Sequence, residues 1–148
     1  KLAPHVLAVK GTLETDNVED PNIPNFDHQM MKLPEPTLVR ISGDSTKVLN
    51  GMRTTLIVIK PVIFIDIQNT RDISYQYGIL KENQYKLYWY SCVDFNENNY
   101  NKNQVNITNN SFHMNILAIH SGVDIADGEL GLPKIDGPLD NWKRFMND

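Results

Sequence analysis

The run TTLIVIKPVIFIDIQ, residues 54–68, constrains the fold more than any other stretch of the chain. It is dense in β-branched residues, which suit a pleated surface, and it carries a proline at its centre, which cannot donate to a sheet ladder. Two strands are expected, 54–60 and 62–68, with Pro61 at a corner between sheets. In the second strand Ile63, Ile65 and Ile67 share one face while Val62, Phe64 and Asp66 share the other. Both faces are largely apolar, so this strand is expected to be central and covered on both sides.

Similar patterning recurs along the chain. PTLVRISG predicts a strand at about 37–42, followed by a GDS turn and a short run around TKVLNG, where Asn50-Gly51 is a strong turn dipeptide. DISYQYGIL and QYKLYWYSCVDF predict strands at 72–79 and 84–95 joined by the short loop KEN. On the second of these, Tyr85, Leu87, Trp89, Ser91, Val93 and Phe95 form the expected core face. SFHMNILAIH predicts a further strand, with Phe112, Met114, Ile116 and Ala118 on one face and His113, Asn115, Leu117 and Ile119 on the other. HVLAVKGTL is a candidate strand at the N-terminus, and Asp140 is placed to cap a short C-terminal helix, NWKRFMN, carrying Trp142 and Phe145.

Seven or eight short strands with Gly, Pro and Asn turns and almost no helix predict an all-β fold, an antiparallel β-sandwich of immunoglobulin-like or jelly-roll-like form, with a small β-barrel as the alternative. At 148 residues the chain is the size of one domain. It is expected to form a single sandwich over 1–148 with long loops at about 14–36 and 96–111. Tyr90-Ser91-Cys92 resembles the Tyr-x-Cys corner of immunoglobulin domains. The likeness covers three residues; the upstream cysteine of that pattern is absent and Trp89 sits beside Cys92, so no family is assigned.

Charge and composition exclude several functions. The net charge is −4, and the 14 Lys and Arg are scattered, only Lys143 and Arg144 being adjacent. There is no basic stripe for nucleic acid and no cationic amphipathic helix for a membrane surface. The longest apolar run, LIVIKPVIFI, is interrupted by Lys60 and Pro61 and falls short of the roughly 20 residues a bilayer crossing needs, so no membrane insertion is expected. No basic start leads into an apolar stretch at the N-terminus, so a targeting peptide is expected to be removed or absent.

Cys92 is the only cysteine, which rules out an intramolecular disulfide. With no histidine beside it in sequence, it reads as a small buried thiol within a strand. His5, His28, His113 and His120 lack the spacing of a metal site, since His113 and His120 have opposite strand parity. Asp124, Asp127 and Glu129 do not match a calcium loop, and no phosphate cradle or nucleophile elbow is present. No metal or cofactor is expected, and no catalytic group stands out.

Recognition is therefore expected to rest on loops. Residues 96–110 hold eight asparagines among fifteen residues, and Asn suits turns through its backbone-bonding side chain. Asn98, Asn99, Tyr100 and Asn103 are the candidate binding residues there, with Phe26 and His28 from the proline-rich loop, where Ile23, Met30, Met31 and Leu33 are further anchors. Asn106 and Asn109 head N-glycosylation sequons, but 17 asparagines and 14 Ser and Thr give about two such triplets by chance. The expected function is a non-catalytic module that binds a protein or glycan, extracellular or at a surface. The alternatives are a carrier with an apolar cavity lined by Tyr75, Tyr77, Tyr85, Tyr88, Trp89 and Tyr90, and an enzyme of a class without a sequence motif.

Overall fold

The computed structural model describes residues 26–30, 35–67, 70–96, 98, 102, 105–106, 111–126 and 128–140. It is a mixed α/β structure built on one open sheet, and the expected sandwich and barrel are both ruled out by it. In chain order the elements are α1 (Phe26–Met30), β1 (Leu38–Ile41), α2 (Ser45–Gly51), α3 (Arg53–Val58), β2 (Val62–Asp66), α4 (Ile73–Glu82), β3 (Tyr85–Val93) and β4 (Phe112–His120), with a 3-10 turn at Thr70–Asp72 before α4. The sheet order is β1-β2-β4-β3. β1 and β2 are parallel, and β4 runs antiparallel to both β2 and β3. A parallel pair requires a crossover, and α2 with α3 supplies it.

The first third of the opening run is a helix. Residues 53–58 form α3, against the strand expected there, and Pro61 is the junction between helix and strand. The reason lies outside the segment: the Asp27 carboxylate on α1 accepts from the N–H of Thr54 at 2.7 Å, the N–H of Thr55 at 2.8 Å and the Thr55 hydroxyl at 2.6 Å. These N–H groups belong to the first turn of α3, which has no internal acceptors for them, so a residue 27 positions away does the work of a cap. Met52, Thr55 and Leu56 then face the interior, while Ile57 and Val58 remain exposed. Lys60, at φ 56°, ends the helix with its N–H on the Thr55 carbonyl, and Pro61 follows where no donor is needed.

Two other expected elements are corrected in the same sense. TKVLNG lies in α2, whose N-cap Asp44 accepts from the N–H of Lys47 at 3.1 Å, so Asn50-Gly51 is helical and does not turn a hairpin. The segment expected as strand 72–79 is α4: Ile73, Gln76 and Leu80 are buried at the i, i+3, i+7 spacing of one helical face, with Tyr77 half-buried beside them. KEN completes the end of this helix, and Gln84, at φ 64°, turns the chain into β3. Gln76 Nε2 donates to Ser45 Oγ at 2.6 Å, a buried tie between α4 and α2.

The strands at 37–42, 62–68, 84–95 and 112–119 are found within a few residues of their expected limits. β3 and β4 pair antiparallel as a hairpin, Tyr85 with His120 and Val93 with Phe112. The expected N-terminal strand and C-terminal helix lie outside the described residues. One sheet face carries Val39, Ile41, Ile63, Ile65, Leu87, Trp89, Ile116 and Ala118, and these join Leu49, Met52, Leu56, Ile73 and Leu80 from the helices in one core. Ser91 and Val93 share that parity but are exposed, Val93 at 65%, because the helical layer ends before the hairpin does. Beyond β3, Trp89 donates to the Pro133 carbonyl and Ile135 to that of Leu87, which draws Ile135 into the core.

Replacing Asp27 by alanine strands the first-turn donors of α3, and the expected loss is about 1–2 kcal/mol of unfolding free energy, measured by urea titration.

Candidate functional site

The second face of the sheet has no helix against it among the described residues. Near the turn end of the hairpin it forms an open cavity of about 640 Å³, at the carboxyl ends of β1, β2 and β3. The carboxyl ends of the strands are where open α/β sheets place their ligands. Parity determines the lining: Arg40 from β1, Phe64 and Asp66 from β2, Tyr90 and Cys92 from β3, and His113 and Asn115 from β4 all point to this face.

Asp66, Asn115 and Tyr90 fall on one cross-strand row. Arg40 grips Asp66 through two bonds, Nε to Oδ1 at 3.3 Å and Nη2 to Oδ2 at 2.9 Å, and its guanidinium lies 5.9 Å from the Phe64 ring centre. The Asp66 contact raises the Arg40 pKa further above its ordinary value, first through the hydrogen bond and then through charge. At this exposure the pair contributes little to stability; its effect is to hold a flat cation in one orientation. Phe64 and Tyr90 meet edge to face, with centroids 5.5 Å apart. Asn115 is buried, and its Nδ2 donates to the His113 carbonyl at 3.4 Å.

Cys92 is exposed, which corrects the expectation of a buried thiol. It also has a histidine beside it, because the register places His113 directly opposite. The sequence held this signal: once Tyr85 is paired with His120, counting up β3 and down β4 brings Cys92 to His113. His113 Nε2 lies 2.9 Å from Asp94 Oδ1, and the Ser111 hydroxyl donates to Asp94 Oδ2.

Of the loop residues proposed from sequence, Phe26, His28, Asn98 and Asn106 are described. Phe26 is 6% exposed and packs in the core, so its side chain is not presented to a partner, whereas His28 and Asn98 are exposed and Asn106 is half-buried. Asn99, Tyr100, Asn103 and Asn109 lie outside the described residues. Of the aromatic set, Tyr90 borders the cavity, while Tyr85 and Trp89 point to the helical side. Among the described residues no three of His, Cys, Asp and Glu meet in a group able to hold a metal, and Glu129 uses its carboxylate on the N–H of Ala126 at 2.9 Å. No helix among them is long and apolar enough to cross a membrane. No protein-family model matches the chain, and no curated protein or solved structure shows significant similarity to it.

At the opposite end of the sheet His120 is buried, stacks edge-on against Tyr85 at 5.4 Å and accepts from the N–H of Gly122 through Nδ1 at 3.0 Å. A Cβ at Gly122 would sit 3.1 Å from that nitrogen, so the close approach favours glycine. Burial, and then the charge of Lys60, push the His120 pKa below its ordinary value. Below about pH 6.5 the unfolded chain takes up a proton that the folded chain resists, so this residue's contribution is present above that pH and is lost on acidification. His120→Gln is expected to flatten the fall in stability between about pH 7 and pH 5, measured by urea titration across that range.

Proposed function

We propose that this domain binds a small ligand with an apolar face and a hydrogen-bonding edge, and that a sugar unit of a glycan fits the open sheet face best. The orientation of Arg40, fixed by its two bonds to Asp66 beside the Phe64 and Tyr90 rings, carries the reading. A pyranose offers C–H groups to aromatic rings and pairs of hydroxyls to planar polar groups. Carboxylate, guanidinium and amide are such groups, and Asp66, Arg40 and Asn115 bring one of each to the same cavity. Few polar groups on an otherwise apolar, largely pre-formed surface is the usual composition of a small-molecule site.

A net charge of −4 with scattered cations disfavours a polyanionic partner, which supports a neutral ligand. Because Arg40 is already paired, a ligand need not supply a carboxylate to hold it in place. The recognition surface is then the open face of the sheet.

Titration of the isotope-labelled protein with a panel of neutral mono- and disaccharides is expected to shift the amide resonances of Phe64, Tyr90 and Asn115. Tyr90→Ala and Arg40→Ala should each weaken binding by roughly tenfold, the size expected for losing one good contact. A panel that leaves those resonances unmoved would remove the reading.

A further inference from the structure

At the tip of the β3–β4 hairpin the register joins a nucleophile, a base and an acid on one face. Backbone bonds from Asp94 to Ser111 and from Ser121 to Gln84 mark these as hydrogen-bonded pairs, and alternation along the ladder puts Cys92 and His113 in the same class. Their Cβ atoms are then about 5 Å apart on the same side of the sheet. Asp94 is the diagonal neighbour of His113 and takes its Nε2 at 2.9 Å, while Ser111 holds the far carboxylate oxygen. With Nε2 engaged, Nδ1 is the ring nitrogen left for a thiol proton.

In the observed rotamer the Cys92 thiol turns to the Val93 carbonyl, at 3.8 Å, a weak contact that a change of χ1 gives up at little cost. Arg40 lines the same cavity as Cys92 and His113. Its Nε and Nη2 are taken by Asp66, so Nη1 is the amino group directed elsewhere. Exposed cysteines and histidines are common on hairpins. An imidazole fixed by a carboxylate that is itself fixed by a hydroxyl is a more specific arrangement, because it orients the base before a substrate arrives.

We propose that Cys92, His113 and Asp94 form a nucleophilic site for acyl transfer from small esters. Cys92 is the attacking thiol, His113 the base, Asp94 a positioning residue, and Arg40 the donor nearest the developing oxyanion. His113 Nδ1 takes the thiol proton as Sγ bonds to the ester carbonyl carbon, and the carbonyl electron pair moves to oxygen. Collapse of that adduct breaks the bond to the leaving oxygen, which departs with the proton from His113. Cys92 is left as a thioester. Water, giving a proton to His113, then attacks the thioester, releasing the acid and returning the thiol. The site shares the cavity of the sugar reading but does not depend on it, since the acyl group need not come from a sugar.

The full chain incubated with p-nitrophenyl acetate tests this, with nitrophenol release and intact mass followed together. One acetyl group should appear, map to Cys92, and form at least roughly tenfold faster than in the same chain unfolded in urea. His113→Gln should cost roughly a hundredfold, the range of a general base, and added imidazole should partly restore the rate of His113→Ala. Asp94→Asn, which still accepts from the ring, should retain more activity than Asp94→Ala. The His113 side chain is 73% exposed, so its removal should leave the fold intact, with circular dichroism as the check. Acylation no faster in the folded than in the unfolded chain, acetyl groups on lysines alone, or indifference to His113→Gln would each overturn the proposal. The sugar titration reads out separately, so failure of one reading leaves the other standing.

Discussion

The insertion of β4 between β2 and β3 is the contact on which the rest of the molecule depends. β2 and β3 run in the same direction, and the strand between them is the last of the four in sequence. On one side Ile116 and Ala118 complete the apolar floor with Ile63, Ile65, Leu87 and Trp89, onto which the helices pack. On the other side the same strand contributes His113 and Asn115 to the cavity. Without β4 there would be a parallel pair with its crossover and a separate lone strand, and neither face would be continuous. Because this pairing spans long sequence separations, its closure must be offset by dense burial, and the central isoleucines supply it.

The two faces solve opposite problems. The helical side ties several of its polar groups within the chain, as the Gln76–Ser45 bond and the Asp27 cap illustrate, while Gln76 Oε1, the Tyr85 hydroxyl and Trp89 Nε1 are buried without a hydrogen-bond partner. The open side leaves polar groups in water but restrains them through neighbours: Arg40 by Asp66, His113 by Asp94, Asp94 by Ser111. Restraint of exposed side chains adds little stability and reduces the ordering cost when something binds. That asymmetry is the physical basis for reading function on this face.

Strand pairing was legible in the sequence where alternation was strong. Ile63 and Ile65 are buried on one face as their spacing demands, and the hairpin from Tyr85 to His120 follows from two aromatic-rich runs around a turn-forming segment. The helices were not legible, for two reasons. RTTLIV has the composition of a strand, and what makes it helical is a carboxylate from α1 that no local window contains. In α4 the residues Tyr75 and Tyr77 alternate like a strand, yet the buried set is Ile73, Gln76, Ile79 and Leu80, and a buried glutamine obscures the helical stripe. The site was half legible: Cys92 and His113 were both noticed, but their meeting depends on the register, which only the assembled hairpin defines.

The two margins of the sheet are treated differently. The outer side of β3 is occupied where Lys134 bridges to Tyr88, whereas among the described residues β1 has no partner on its outer side. Unpaired strand margins invite other chains to add on, and proteins limit this with short margins and charge. β1 is four residues long, and Arg40 stands at its middle with its charge tied across to β2. The residue that shapes the cavity therefore also guards the margin, so a chain that lost Arg40 would leave the β1 margin, with Leu38 already exposed on it, without the charge that deters self-association.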